Sequence, residues 1–200
     1  DFDTNAKAVK DSLVASVKVA DGAEIAFFTT KTGKKITGLA EYNESTGKTT
    51  SKGDILTSGV DDTKELWYTG CIGTPKRNSI YAAFSDPYID KTSGKKIFTV
   101  SQEIKYSTGE NYGTVGMNID FAEVENYVNQ IGLLNTGFVI LVNKDGNILV
   151  NNEKNTYMSD SVSSLSCWNT IAGLTEEQCD TAMSFDEKIN GKSVHVVASK

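Results

Sequence analysis

Two short groups in this chain have the residue types and spacing of a binding site: the aromatic pair Trp67-Tyr68 and the phenol–carboxylate pair Tyr88 and Asp90. Trp67 and Tyr68 are adjacent, so on a helix they point about 100° apart, and one can pack in a core while the other faces a cavity. Tyr88 and Asp90 are two apart, so on an extended segment they share a face. A carboxylate beside a phenol suits a cationic amine or a hydroxyl-rich ligand. The same residues also admit a purely structural reading, with Trp67 in the core and Asp90 capping the turn toward Gly94.

Other chemistry-bearing residues read more plainly. The single histidine, His195, lies in a predicted strand and is expected to be partly buried and satisfied, with no catalytic role. With one histidine and no GxSxG, HExxH, phosphate loop or dinucleotide fingerprint, the chain is not expected to be an enzyme. Cys71, Cys167 and Cys179 contain no CxxC pair, so no zinc site, other metal site or cofactor is expected. They read as three half-buried thiols, or as a Cys167–Cys179 disulfide in an exported protein. Asp145 in Lys144-Asp145-Gly146 is a turn residue without the further oxygens of a calcium loop. Lys31, Lys34 and Lys35 read as a solvated basic turn.

The elements that must position these residues follow from hydrophobic period. The chain has 200 residues, 38% hydrophobic and 23% charged, enough for one good core or two small ones. A net charge of −6 and a pI near 4.9 argue against nucleic acid as a partner. The chain has no initiator Met and no signal-like apolar segment, and is expected to be a piece of a longer protein. Ala6, Val9, Leu13 and Val17 recur at helical spacing, with Asp3 or Thr4 as the cap. Strands are predicted over 24–30 and 36–42, an exposed loop over 43–52, a short helix over 64–71 and a strand over 80–85. Two alternating strands follow at 96–104 and 113–119, separated by the turn Ser107-Thr108-Gly109. Asp120 and Glu123 form a capping box for a helix carrying Phe121, Val124, Val128 and Ile131. Asp145-Gly146 joins strands over 137–142 and 147–151 in a hairpin. A helical stretch over 162–172, a second capping box at Thr175 to Gln178, and strands over 184–189 and 193–198 turned at Asn190-Gly191 complete the chain. Antiparallel strands broken by helices give an α+β class. No close repeat is present, but the order of elements begins again after residue 133.

Several motifs taken in order resemble the double Cache family. They are Trp67-Tyr68, the run Ser85-Asp86-Pro87-Tyr88-Ile89-Asp90, Gly94-Lys95, Phe98-Thr99-Val100-Ser101, and Gly113 to Ile119. The segment Thr136-Gly137-Phe138 to Leu149 continues the resemblance, which covers roughly residues 60–150. It implies a long N-terminal helix over 1–20, a membrane-distal PAS-like module over 21–132 that binds the ligand, and an incomplete membrane-proximal module over 133–200. It also implies an extracytoplasmic place in a bacterial receptor, anchored in the membrane by segments outside this sequence. The output would be chemotaxis signalling, a histidine kinase or cyclic-dinucleotide turnover, and a homodimer of the full-length receptor fits the same resemblance. The ligand-binding residues it implies are Trp67, Tyr68, Phe84, Tyr88, Asp90, Ser101 and Asn118.

Two departures from the amino-acid-binding members of that family bear on the ligand. Where those members carry an Arg two residues before the Trp, this chain has Glu65, and where they carry an Asp on the later strand, it has Asn118. A carboxylate in place of a guanidinium repels a ligand carboxylate and removes a bidentate partner. The expected ligand is therefore an amine, a quaternary ammonium compound or a purine-like ring between the aromatics. The competing expectation is a non-catalytic protein-interaction module with no small-molecule ligand.

Overall fold

A computed structural model of the chain describes residues 2–20, 22–43, 45–46, 48–57, 61–73, 82–91, 93–152, 160–175, 178 and 182–199, the side chains of 40–43 and 49 excepted. The chain divides into two compact units, Asp1–Glu123 and Val124–Lys200.

In the first unit, helix α1 (Phe2–Val19) is followed by strands β1 (Ala23–Thr30), β2 (Lys35–Asn43), β3 (Lys48–Lys52) and β4 (Ile55–Leu56). A 3-10 turn (Asp62–Lys64) leads into the short helix α2 (Leu66–Thr69). Strands β5 (Ala83–Phe84), β6 (Tyr88–Ile89), β7 (Lys96–Lys105) and β8 (Asn111–Asp120) come next, then helix α3 (Phe121–Gln130), in which the division between units falls. The sheet runs β3-β2-β1-β8-β7-β5, with β4 also on β2 and β6 also on β7, and every pairing is antiparallel.

Strand β1 is central and covered on both faces, which explains its unbroken buried run from Ala26 to Thr30. Its alternate residues go to different cores. Ala26 and Phe28 join Phe2, Ala6, Leu13, Val17 and Ile36 under α1, while Phe27 joins Trp67 and Tyr68 on the other face. Helix α1 approaches β2 closely because position 38 is glycine: a Cβ there would lie 2.5 Å from the Val14 backbone nitrogen.

The second unit contains the hairpin β9 (Ile140–Val142) and β10 (Ile148–Asn151), the short helix α4 (Trp168–Ala172), and the hairpin β11 (Met183–Ile189) and β12 (Lys192–Ala198). Its core gathers Val162 and Ile189 with Ile140, Val142, Ile148, Leu165, Trp168 and Val194. The Asn143 Oδ1 accepts from the Asp145 and Asn147 amides, and Gly146 takes φ +80°, so the Asp-Gly hairpin forms where its turn chemistry puts it. Asn190 and Gly191 both have positive φ, at 50° and 78°, the pair a two-residue type I′ hairpin needs.

Some expected elements are corrected. Helix α1 already includes Phe2, ahead of both expected caps; Phe2 is buried against Phe28, and Asp3 meets Lys34. The stretch 43–52 is not all loop: Lys48–Lys52 pairs with β2 as an edge strand, held by backbone bonds that need no apolar face. Of 162–172 only Trp168–Ala172 is α-helical. Upstream, serine hydroxyls bond locally, with Ser161 Oγ donating to the Gly146 carbonyl and accepting from the Ser163 amide, which competes with helix. Gln178 accepts from the Thr175 amide and hydroxyl without a helix among the described residues there. Ile80, Tyr81, Thr92 and Cys179, on which other expectations rested, lie outside the described residues. No helix among the described residues is long and apolar enough to cross a membrane.

Candidate ligand-binding site

The face of the first sheet opposite α1 has an aromatic cover and a hydroxyl floor. Helix α2 holds Trp67 and Tyr68 over it, both buried, with the Trp67 ring 4.5 Å from Phe27 and 5.8 Å from Tyr68. Tyr88 of β6 packs against the same cluster. Both members of the Trp-Tyr pair are therefore buried, where the spacing had allowed one to pack in a core while the other faced a cavity.

Beneath them lie Thr29, Thr99, Ser101 and Thr114, each no more than 2% exposed. Burying hydroxyls in place of alkyl groups is costly unless each is paired. Ser101 Oγ donates to the Trp67 carbonyl at 2.7 Å and so fastens α2 to β7. Thr114 Oγ1 lies 3.4 Å from the Cys71 Sγ, which also donates to the Tyr68 carbonyl. Thr29 Oγ1 donates to Asp62 at 3.0 Å. Thr99 Oγ1 donates to Asn118 Oδ1 at 2.8 Å and meets the Tyr88 hydroxyl at 2.7 Å. Since the one Thr99 proton goes to Asn118, Tyr88 must be the donor to Thr99. The lone pairs of the Tyr88 oxygen are then left as acceptors. The Asn118 amide nitrogen has no partner among the described residues and is left as a donor.

The far end of the cover is latched separately. Tyr68 donates to Asn111 Oδ1 at 3.2 Å, and Asn111 Nδ2 and the Gly73 amide both donate to Glu103 at 3.0 Å. Burial raises the Tyr68 phenol's pKa, with Cys71 and Glu103 adding to it. Burial also raises that of Tyr88. The Thr99 hydroxyl opposes this, because it can turn its proton to the phenolate once that forms, while the carboxylates of Asp90, Glu65 and Asp62 push it further up. Three acidic groups thus bear on one phenol.

Lys35 and Asp62 also belong to this face, and sequence reading did not place them there. Lys35 Nζ lies 2.6 Å from Asp62 Oδ2, the two side chains being only 20% and 19% exposed, and 5.0 Å from the Phe27 ring centroid. The solvated-turn reading of the basic cluster fails here: β2 begins at Lys35 and turns that side chain toward the aromatic face, and Lys34, 29% exposed, pairs with Asp3. The signal was the register, since Lys35 stands opposite Thr29 in the β1–β2 ladder.

The other expected residues fall as follows. Phe84 is 69% exposed and does not line the cluster, because β5 is a two-residue edge strand. Asp90 Oδ2 accepts from the Ser93 amide and hydroxyl at 2.7 and 2.8 Å, the turn role left open by the sequence, while its charge still reaches Tyr88. Glu65 precedes α2, is 47% exposed and lies 3.8 Å from Lys91, so it stands at the rim and not at the centre. Lys64, a cation that could have replaced an arginine, is 83% exposed on Asp61, and Arg77 lies outside the described residues. His195 is 62% exposed beside Asp186, not partly buried, because β12 offers that position to solvent. Cys71 and Cys167 are buried free thiols. The Cys167 thiol is pushed up to about 11 by burial and by Glu187. No cluster able to hold a metal ion occurs among the described residues.

An antiparallel sheet with a long helix on one face and a short aromatic helix closing a polar floor on the other defines an α+β sensor domain of the Cache/PDC type. The chain belongs to the family described as methyl-accepting chemotaxis protein-like, first PDC sensor domain, which it matches over residues 7–126. It is 29% identical over 128 residues to the methyl-accepting chemotaxis protein McpG of Pseudomonas putida, covering 62% of this chain and 19% of that protein. The chain thus spans about a fifth of the length of that curated relative.

Among solved structures, the ligand-binding domain of the Campylobacter jejuni chemoreceptor Tlp3 in complex with 4-methylisoleucine aligns at a TM-score of 0.60 and 16% identity, over 96% of this chain and 66% of that one. The ligand-binding domain of the Pseudomonas fluorescens chemoreceptor CtaA in complex with L-leucine aligns at 0.52 and 19%, over 94% and 67%. At these identities the likeness is one of fold. Sensor domains of this family are non-catalytic ligand-binding modules.

Proposed function

We propose that this domain is the extracytoplasmic input of a bacterial transmembrane chemoreceptor, anchored by segments outside this sequence. Its ligand is a small molecule carrying a protonated amine, bound on the α2 face of the first unit, the membrane-distal module. A kinase or cyclic-dinucleotide output is compatible with the same input. The observation that carries the amine is the direction of the Tyr88–Thr99–Asn118 chain: Tyr88 spends its proton on Thr99, so its oxygen accepts, and Asp62, Glu65 and Asp90 make its surroundings acidic. An ammonium donates there; the Phe27 and Trp67 rings already carry the Lys35 ammonium, 5.0 and 5.9 Å from their centroids, so the ligand cation is held by the phenol oxygen and the nearby carboxylates. Asn118 Nδ2 donates to an acceptor elsewhere on the ligand. Tyr68 and Ser101 hold the cover.

An ordinary α-amino acid is less well served. Lys35, the cation set against the Phe27 and Trp67 rings, is already held by Asp62 at 2.6 Å. Tlp3 and CtaA were solved with amino acids bound, so these ligands are the natural controls.

The test is a thermal-shift and calorimetric comparison of choline, phenethylamine and putrescine with L-isoleucine and L-leucine. A ligand at about a hundred times its Kd adds about 2.7 kcal/mol of stability. The expected result is amine binding that is lost in Tyr88→Ala and weakened in Tyr88→Phe. Tighter binding of the amino acids, lost in Lys35→Gln, would keep the sensor and overturn the amine. No binding from any class would favour a protein-interaction module.

A further inference from the structure

The opposite face of the same sheet carries a cleft, beyond the reading above and independent of it. It opens between the N-terminal half of α1 and the ends of β1, β2, β7 and β8, with a volume of about 710 Å³. That lies within the range of small-molecule sites. Its wall is a continuous series of rings: Phe2 to Phe28 at 6.4 Å, Phe28 to Tyr112 at 5.5 Å, and Tyr112 to Tyr106 at 4.7 Å.

The lip is basic in a chain whose net charge is −6. Lys34 Nζ sits 4.9 Å over the Phe2 ring and Lys31 Nζ 5.8 Å over Tyr106. Lys31 has no ion-pair partner among the described residues, and neither does the Tyr112 hydroxyl have a hydrogen-bond partner among them. Lys34 is held by Asp3 at 3.1 Å, but Asp3 is 64% exposed, and such pairs contribute little. A ligand carboxylate can therefore replace Asp3 at small cost.

We propose that this cleft is a second binding site, for a small aromatic carboxylate. The ring stacks on Tyr106 and Tyr112 beneath α1. The carboxylate accepts from Lys34, Lys31 and the Tyr112 hydroxyl. Neutral aromatic amides fit the same apolar wall but forgo the ammonium partners, so the site discriminates by charge.

Phenylacetate and phenylacetamide are suitable probes, followed by amide-proton NMR on this domain. The expected result is saturable phenylacetate binding, with shifts at residues 30–34 and 104–113 and phenylacetamide weaker by about tenfold. Lys31→Gln with Lys34→Gln, surface changes that leave the rings in place, should weaken phenylacetate by a similar factor. Asp3→Asn should tighten it, because Lys34 loses its resident partner. Asn5→Trp, which fills the mouth from α1, should abolish it while amine binding on the other face is retained. Equal affinity for acid and amide, shifts centred on Trp67 and Tyr88, or no saturation by about 10 mM would each overturn the proposal.

Discussion

Thr99→Val is the sharpest probe of the α2 face. Valine matches threonine in shape and suits a strand equally well, so the change removes a hydroxyl and little else. Thr99 is fully buried, and its oxygen serves two partners, Asn118 at 2.8 Å and Tyr88 at 2.7 Å. Each hydrogen bond contributes about 1 kcal/mol net, and a group left buried without a partner costs about 1–3 kcal/mol. Tyr88 and Asn118 are only partly buried, so water recovers some of that, and the total comes to about 2–3 kcal/mol. For a chain of this size that lowers Tm by roughly 5–10 °C. Tyr88→Phe alone should cost only about 1 kcal/mol, because Thr99 keeps its bond to Asn118. In the double variant the Tyr88 hydroxyl has already lost its acceptor, so the two changes should fall short of additivity by about 1 kcal/mol. Urea unfolding followed by circular dichroism on the four proteins measures all of this. A Thr99→Val variant within about 0.5 kcal/mol of the parent, or strict additivity, would refute the hydrogen-bond chain and the acceptor role of Tyr88 that follows from it.

Two further expectations concern the scaffold. Gly38→Ala places a Cβ 2.5 Å from the Val14 nitrogen and 2.8 Å from the Leu13 Cβ, atoms of α1 that cannot swing aside. It should destabilise by about 3 kcal/mol, and hydrogen exchange should show α1 protection reduced most; an unchanged α1 would sink the close-approach account. Glu103 is subject to burial, which raises its pKa, but the Gly73 amide, Asn111 and Lys105 outweigh it and hold the pKa below the ordinary 4.5. A carboxyl depressed in the folded state contributes stability above pH 4.5, which is lost as pH falls through the lower folded value. Glu103→Gln should therefore flatten the fall of Tm below that pH, and an unaltered pH profile would exclude the latch.

The parts legible from sequence are those set by local rules. The α1 stripe, the paired strands β7 and β8, and the Asp-Gly and Asn-Gly hairpins each follow from period or turn chemistry confined to a few residues. Edge strand β3 was not legible, because Lys48–Lys52 has no apolar face and owes its form to the partner strand. At the site, Trp67 and Tyr88 announced themselves as aromatics. Lys35 did not, because a lysine after a Lys-rich turn reads as solvated until the β1–β2 register sets it beside Phe27 and Asp62. Thr99 stood in the family motif but had no site role for a related reason: a threonine in a strand is unremarkable until burial and two partners give it one.

Strand β1 ties the two faces together. Phe27 meets Trp67 at 4.5 Å, and the next residue, Phe28, stacks toward Phe2 of α1 at 6.4 Å. Consecutive strand residues point to opposite faces, so a displacement of the β1 backbone at Phe27 is shared by Phe28. A ligand that resets the packing of Phe27 therefore also bears on the seat of α1. It can do so only to the extent that it binds one packing more tightly than the other, and couplings of this kind typically reach about 1–3 kcal/mol. Linkage then requires reciprocity: an anion in the α1-side cleft must change the affinity of the α2 face by the same factor that a ligand there changes its own. The Phe27-Phe28 pair is the shortest covalent path along which that exchange can run.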